Sequence, residues 1–206
     1  DIICAQGTEG GGHTGDTATS VLIPQVCDLV KGKTSPLTGG PIHVVAAGGI
    51  YDGRGLAMAL SLGAEGAWVG TAFICAEESG APPLHQQGVI NANSESTHRS
   101  LVYTGRPLRI MRNKYSVNWE DNRTAEMKTL LGKGVLPIYH DQDTVKNGGE
   151  VHGMTTPEDF IEARPMLMGQ AAGAVKGVQS AAEIMNNMVN LCCDVMDKNH
   201  GRISSL

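Results

Sequence analysis

Residues 42–50 read Ile42-His43-Val44-Val45-Ala46-Ala47-Gly48-Gly49-Ile50, an apolar run that ends in two glycines. A short apolar run bounded by turn residues predicts a buried β-strand followed by a loop. The same pattern occurs upstream, where residues 1–5 lead into a glycine-rich loop, and downstream, where residues 66–69 lead into Gly70 and Thr71. The sequence therefore predicts three strands that each end at small residues.

Helices are predicted between these strands. Apolar residues at near-helical spacing predict a helix over residues 16–31, which begins behind an Asp or Thr cap and is interrupted or delayed by Pro24. Between the second and third strands, Asp52 is the expected N-cap and Gly63 the expected C-terminal stop. Alternation of short strands with helices indicates a parallel sheet, because a parallel crossover needs about a dozen residues and usually a helix.

Two parallel α/β architectures compete, a doubly wound sheet and a barrel. A dinucleotide-binding sheet places a G-x-G-x-x-G turn after its first strand, and the glycines at 48 and 49 do not fit that spacing. Small residues at the ends of three successive strands are instead expected where strand ends jointly line one ligand at the mouth of a (β/α)8 barrel. In such barrels the loops after strands seven and eight bind phosphate, so we assign Gly48-Gly49 and Gly70-Thr71 to those two loops.

The loop after the first predicted strand surrounds one imidazole with five glycines, in the order Gln6-Gly7-Thr8-Glu9-Gly10-Gly11-Gly12-His13-Thr14-Gly15. Glycine-dense loops occur where backbone presses against a ligand. Imidazole is a common acid or base near neutral pH, so His13 is a candidate catalytic residue. A surface turn with a solvated histidine is the alternative interpretation.

Taken together, these segments resemble the nitronate monooxygenases, formerly called 2-nitropropane dioxygenases, which are FMN-dependent TIM-barrel enzymes. The resemblance covers most of the chain. It is carried by the segments Gln6-Gly7, Glu9 to His13, Val45 to Ile50, Asp52 to Gly55, Leu62 to Ala64, Val69 to Thr71, Tyr103 to Arg109 and Leu167 to Gly173.

The resemblance implies a role for each matching position. His13 corresponds to the active-site histidine above the flavin, where it takes the α-proton of a nitroalkane or orients a nitronate. The implied FMN contacts are Gly11 and Gly12 beside the isoalloxazine ring, Gly48, Gly49, Gly70 and Thr71 around the phosphate, and Gln170 in a segment that returns to the barrel mouth.

The resemblance also implies a domain organisation. A complete barrel of this kind needs about 250 residues, so the chain is expected to be a C-terminal portion that starts near the sixth strand. Residues 1–112 would form the last three strand-helix units of the FMN-binding barrel, residues 113–165 a lid or insertion, and residues 166–206 a return segment and the C-terminal helix. Ser180 and Glu183 predict a capping box at the start of that helix.

The expected activity is oxidation of an alkyl nitronate or nitroalkane, with FMN as electron acceptor and dioxygen as its oxidant. One alternative is an FMN-dependent enoyl-thioester reductase of the same superfamily. Another is a chain that binds flavin without catalysis, because a partial barrel would not complete the pocket.

Composition narrows the choice of partners. A net charge of −5 and an aromatic content of 4% argue against a nucleic-acid-binding surface. Five scattered cysteines without a C-x-x-C pair indicate buried, reduced thiols and a cytoplasmic protein.

The apolar run from Gly55 to Ala76 contains Glu65 and several glycines, so we expect a helix plus a strand and no membrane span. His140 and His152 match no zinc spacing, and no metal is predicted. The oligomeric state is left open.

Overall fold

The computed structural model describes residues 1–93 and 95–205. Its strands form two three-stranded sheets, one parallel and one antiparallel. The strands are β1 (Ile2–Gln6), β2 (Gly12–His13), β3 (His43–Ala47), β4 (Gly66–Trp68), β5 (Thr97–Ser100) and β6 (Leu108–Met111). The helices are α1 (Thr19–Val30), α2 (Gly53–Ser61), α3 (Thr71–Ile74), α4 (Pro83–Asn91), α5 (Lys114–Asn122), α6 (Thr124–Gly132), α7 (Pro137–Lys146) and α8 (Ala181–Ser204), with 3-10 turns at Glu77–Ser79 and Pro157–Ile161.

The parallel sheet has the order β1-β3-β4. Its three strands are those predicted at the glycine junctions, so the α/β prediction is confirmed in this part of the chain. Gln6 lies opposite Ala47, and Ala47 lies opposite Trp68. Because the strands are parallel and end at the same level, the loops that follow them leave the sheet at a common edge.

Helices α1 and α2 connect these strands, as predicted, but α1 begins differently. Its N-cap is Ala18, whose side chain makes no capping hydrogen bond, so the predicted Asp or Thr cap is wrong. The Thr19 hydroxyl lies instead 2.8 Å from the Glu9 carboxylate and 2.9 Å from the Gly48 carbonyl, and its single hydrogen can be donated to either acceptor. The helix also runs through Pro24 without a break. Proline removes one N–H, and the carbonyl it leaves unpaired belongs to Ser20, an exposed residue of the first turn.

Helix α2 has the predicted cap and stop. The Asp52 carboxylate accepts hydrogen bonds from the backbone N–H groups of Arg54 and Gly55 at 3.0 and 3.2 Å. The chain leaves the helix through Gly63, which has a φ of +97°, a conformation that strongly favours glycine. The core between the sheet and its helices consists of Ala5, Ile23, Val30, Val44, Ala46, Ile50, Ala59 and Ala64.

The C-terminal helix α8 packs against α2. It begins with the predicted capping box between Ser180 and Glu183, which is confirmed. The two helices approach closely because α2 begins with a glycine. A Cβ atom at Gly53 would lie 2.4 Å from both the Cys192 nitrogen and the Met188 carbonyl oxygen.

Gly53→Ala is therefore expected to destabilise the protein by about 1–3 kcal/mol, because the backbone of α8 must move away from α2. The measurement is the free energy of unfolding from urea denaturation. Gly201→Ala is the control, since Gly201 lies in α8 and an added Cβ would meet no atom within 4 Å. That change is expected to stabilise by about 0.5–1 kcal/mol through helix propensity. Equal effects of the two substitutions would contradict the proposed contact.

The antiparallel sheet has the order β2-β6-β5 and packs with the helices that follow it. Strand β5 ends at Ser100, and residues 101–107 form turns. The Asn- and Gly-rich region 113–160 contains three helices, α5 to α7. The sequence did not predict them. The shared core of this unit is Val102, Tyr103, Leu108, Ile110, Tyr115, Trp119, Met127, Val145, Val151, Phe160 and Ala163. The division of the chain at residues 112 and 165 stays a prediction.

A buried carboxylate holds α5, α6 and α7 together. The side chain of Asp141 on α7 has no solvent exposure and accepts hydrogen bonds from Tyr115 and Trp119 at 2.9 Å. Arg123 neutralises this charge with contacts of 2.8 and 3.0 Å, and its guanidinium lies 3.4 Å from the centre of the Trp119 ring. A fully paired buried charge fixes one arrangement of three helices whose own sequences are polar.

The structure also bears on the cysteines, on membrane spans and on metal-binding clusters. Cys75 and Cys192 are buried, whereas Cys4 and Cys193 are exposed, so the expectation of uniformly buried thiols is wrong. None of the helices in the described residues is long and apolar enough to cross a bilayer. Within residues 1–93 and 95–205, no group of three or more His, Cys, Asp or Glu side chains could hold a metal ion.

Candidate functional site

A cavity of about 330 Å³ opens at the common edge where β1, β3 and β4 end. Its size falls in the range of small-molecule sites. The three loops that follow the strands of the parallel sheet line part of it, and helix α4 and the segment 167–171 line the rest. The lining residues are Gln6, Gly10, Gly11, Ala47, Gly48, Gly49, Ile50, Trp68, Gly70, Thr71, Ile74, His85, Leu167, Met168 and Ala171.

Two of these loops contain backbone N–H groups without protein acceptors. In the part of the chain that the structure describes, the N–H groups of Gly49, Gly70 and Thr71 donate to no backbone or side-chain acceptor. Gly70 also leaves open space, because an added Cβ atom would meet nothing within 4 Å. Gly49 and Gly70 are exposed and Thr71 is buried, so water or a ligand can reach the first two N–H groups. Backbone N–H groups that line a cavity and have no protein acceptor are suited to bind an anion such as a phosphate.

Thr71 has a hydrogen to donate into the cavity. Its hydroxyl oxygen accepts a hydrogen bond from the backbone N–H of Gly169 at 2.9 Å, and its own hydrogen has no acceptor among the described residues. A hydroxyl can accept and donate at the same time. Thr71 can therefore bind an anion while it fastens the segment 167–171 to the end of β4.

The glycine-rich loop after β1 is packed tightly against this segment. A Cβ atom at Gly11 would lie 2.7 Å from the Met168 carbonyl carbon, and one at Gly169 would lie 2.6 Å from the backbone carbonyl oxygen of Glu9. The backbone N–H of Gln170 donates to the same carbonyl oxygen of Glu9 at 2.9 Å. Glycine at position 11 is thus required by contact with another part of the backbone, besides any approach to a ligand.

Glu9 and Arg109 fix the position of this loop from two sides. The Glu9 carboxylate accepts hydrogen bonds from the backbone N–H and hydroxyl of Thr19 at 3.0 and 2.8 Å. Arg109 is only 7% exposed, and its Nε and Nη2 atoms donate to the Thr8 carbonyl at 3.2 and 3.1 Å. Burial, with the nearby charge of Arg99, lowers the pKa of the Arg109 guanidinium. Arginine nevertheless keeps its charge in proteins, so this loop lies over a buried positive charge.

His13 lies beside the cavity rather than in its wall. It belongs to β2 and pairs with Leu108 of β6. Its side chain is exposed, and its Nε2 atom lies 2.9 Å from the Thr104 hydroxyl oxygen. The Gln6 side chain, which lines the cavity, donates to the His13 carbonyl oxygen at 2.8 Å. One amide side chain therefore separates the imidazole-bearing residue from the cavity.

The structure brings together five of the eight residues that the sequence singled out. Gly11, Gly48, Gly49, Gly70 and Thr71 line one cavity. Gly12 and His13 lie in β2, and Gln170 has an exposed side chain, with its backbone N–H bonded to Glu9.

Sequence reasoning missed several lining residues. Gln6 and Trp68 could have been found, because Gln6 directly follows one predicted strand and Trp68 lies near the end of another. Met168 lies inside a segment already recognised. His85 gave no signal, since its place in the cavity depends on how α4 packs against α3 and on its Nε2 hydrogen bond to the Leu167 carbonyl at 2.9 Å.

These features fit an FMN molecule. Free backbone donors and the Thr71 hydroxyl are suited to its phosphate, and the space beside Gly70 admits it. Apolar side chains of Ile50, Trp68 and Leu167 border the same cavity and are suited to an isoalloxazine ring.

Comparison with known proteins agrees with this chemistry. The family model for nitronate monooxygenase matches residues 1–190. A Bacillus subtilis protein named as a nitronate monooxygenase is 36% identical over 75% of this chain and 47% of its own length. A Mycobacterium tuberculosis protein, named (3aS,4S,5R,7aS)-5-hydroxy-7a-methyl-1-oxo-octahydro-1H-indene-4-carboxyl-CoA dehydrogenase, is 42% identical over 92% of this chain and 58% of its own length.

Solved structures give the same picture. FabK from Thermotoga maritima matches 98% of this chain and 57% of its own, with a TM-score of 0.69 and 26% identity. Nitroalkane oxidase from Streptomyces ansochromogenes matches 96% of this chain and 53% of its own, with a TM-score of 0.64 and 25% identity. Both are TIM-barrel enzymes, and the nitronate monooxygenase and FabK families are generally flavin-dependent. The chain spans about half the length of the curated relatives that it matches.

Proposed function

Because this chain belongs to the nitronate monooxygenase family, we propose that the protein oxidises alkyl nitronates or nitroalkanes with dioxygen, using FMN bound at the cavity where β1, β3 and β4 end. The observation that carries this proposal is the group of unpaired backbone N–H donors at Gly49, Gly70 and Thr71. FMN, when bound, would take electrons from the organic substrate and pass them to dioxygen.

The residues of this chain would hold the cofactor at both ends. Gly48, Gly49, Gly70 and Thr71 would surround the phosphate, and Gly11 and Gly12 would lie along the ring. Gln170 would keep the glycine-rich loop in place through the hydrogen bond of its backbone to Glu9. The buried charge of Arg109 would favour negative charge that develops on the bound molecules, because its field acts in a region of low dielectric.

His13 would act as the base for neutral nitroalkanes. The Cα–H bond of the substrate breaks, its proton moves to the imidazole, and the electron pair delocalises into the nitro group to give the nitronate. A preformed nitronate needs no such step. For that substrate the imidazole would only orient the anion.

We also propose that the parallel sheet corresponds to the last three strands of a TIM barrel. Two observations support this proposal, the larger size of the related chains and the exposure of apolar side chains on the outer strand β1. Ile2 and Ile3 of β1 are 68% and 38% exposed. Neighbouring barrel strands would cover such residues and would pair the open edges.

The test is an anaerobic mixing experiment with the FMN-loaded protein. Addition of an alkyl nitronate is expected to bleach the flavin absorbance, and admission of dioxygen is expected to restore it. Bleaching by NADH or NADPH, with no response to nitronate, would overturn the proposal.

The second candidate function is the reduction of an enoyl thioester. The observation that favours it is the 42% identity to a relative named for a carboxyl-CoA substrate, together with the structural likeness to FabK. In an enoyl-thioester reductase, a reduced nicotinamide would bleach the flavin absorbance and an enoyl thioester would restore it. Flavin binding without bleaching by either class of donor would favour a chain that binds flavin without catalysis. The cytoplasmic location and the absence of nucleic-acid and membrane partners stay predictions from composition.

A further inference from the structure

The neighbourhood of His13 contains one hydroxyl group that can decide which ring nitrogen carries a proton. Neutral imidazole has a hydrogen on one nitrogen and a lone pair on the other, and only the nitrogen with the lone pair can act as a base. The hydrogen bond to the other nitrogen commonly fixes this choice. In this chain the partner is Thr104, whose oxygen lies 2.9 Å from His13 Nε2.

Thr104 has a single hydroxyl hydrogen, and two acceptors compete for it. The Arg106 carbonyl oxygen lies 3.1 Å from the Thr104 hydroxyl and can only accept. If the hydrogen points to this carbonyl, Thr104 can accept from an Nε2–H of His13, and both hydrogen bonds form. If the hydrogen points to His13 Nε2, the bond to the Arg106 carbonyl is lost, whereas the donation from the Arg106 N–H to the Thr104 oxygen at 3.4 Å is the same in both arrangements. The first arrangement satisfies more polar groups and is therefore favoured.

We infer that Thr104 is a positioning residue that keeps the hydrogen of neutral His13 on Nε2 and leaves the basic lone pair on Nδ1. This inference rests on the proposed function, in which His13 takes the α-proton of a nitroalkane. The proton released from the substrate carbon then goes to Nδ1, while Nε2–H stays bonded to Thr104. Among the described residues Nδ1 has no hydrogen-bond partner, so it is free to face substrate.

The turn that carries Thr104 is rigidly held. Gly105 N donates to the Leu101 carbonyl at 2.8 Å, and Gly105 has a φ of +69°. The neighbouring Tyr103 is buried in the helical unit and donates to the Ala163 carbonyl at 2.7 Å. Thr104 is thus attached to a packed core, which gives the His13 ring a fixed partner although the ring itself is exposed.

The direct test is the 15N NMR spectrum of the His13 ring in the protein without flavin, at a pH where the imidazole is neutral. We expect Nε2 to show the shift of a protonated nitrogen and Nδ1 that of an unprotonated one. In Thr104→Val both signals should move toward the average of the two tautomers, and in Thr104→Ser they should stay as in the wild type. A wild-type spectrum with the proton on Nδ1 would overturn the inference, even if Thr104→Val failed to fold.

Kinetics of the FMN-loaded protein provide a second readout. Thr104→Val is expected to lower kcat/KM for a neutral nitroalkane by about 2- to 10-fold, the range of one hydrogen bond. Turnover of the preformed nitronate should be unchanged, and Thr104→Ser should restore the nitroalkane rate. Equal loss with both substrates would indicate a structural role and would contradict the inference. If His13→Asn itself has no effect, the proposed base is wrong, whereas the NMR result would still report the tautomer.

Discussion

His13→Asn is expected to lower kcat/KM for a neutral nitroalkane by about 10²- to 10⁴-fold, the usual contribution of a general base. Asparagine has a similar polar outline but cannot accept the substrate proton near neutral pH. The rate with a preformed nitronate is expected to change much less, because its carbon has already lost the proton. The measurement is steady-state oxygen consumption with each substrate.

The matched control is His200→Asn, since His200 is an exposed residue of α8, outside the cavity lining. It removes an imidazole without touching the site, so both rates should be those of the wild type. An unchanged nitroalkane rate in His13→Asn would show that another group is the base. An equal fall with nitroalkane and nitronate would assign His13 to binding instead of proton transfer.

Gly70→Asp is expected to weaken FMN binding by about 100-fold or more. The new side chain enters open space, and Gly70 has a φ of −105°, which any residue can adopt. The fold should therefore persist, while the carboxylate repels the phosphate at short range, at a cost of several kcal/mol. The measurement is quenching of FMN fluorescence on titration with the protein.

Gly132→Asp provides the control for this substitution. Gly132 ends α6, outside the cavity lining, and an added Cβ atom there would also meet nothing within 4 Å. The charge change is the same, so FMN affinity should be unchanged. If both variants bind FMN as tightly as the wild type, the phosphate does not lie beside Gly70.

The sequence predicted the parallel sheet and the glycine loops of the cavity because both depend on local patterns. Gly48-Gly49 and Gly70-Thr71 each follow a short apolar run, and the parallel register then places these loops at the same edge of the sheet. Gly11 lies at the cavity, and its contact with Met168 and Gly169 is a reason for glycine that only the fold could reveal.

The remaining parts depend on contacts between distant residues. Helices α5 to α7 carry mostly polar side chains, and Trp119 and Arg123 meet the buried Asp141 only after the three helices pack. No periodic pattern of apolar residues in the sequence predicts such a network. In the same way, Thr104 lies 91 residues from His13 in the sequence, and the pairing of β2 with β6 is what brings them into contact.

Comparison of FMN with riboflavin most directly tests the central claim that backbone donors at the ends of β3 and β4 bind a flavin phosphate. The two ligands share the ring and the ribityl chain, and only FMN carries the anion. We predict that the protein binds FMN at least about 100-fold more tightly than riboflavin, because several charge-assisted hydrogen bonds are made only to the phosphate. Equal dissociation constants for FMN and riboflavin would contradict the account.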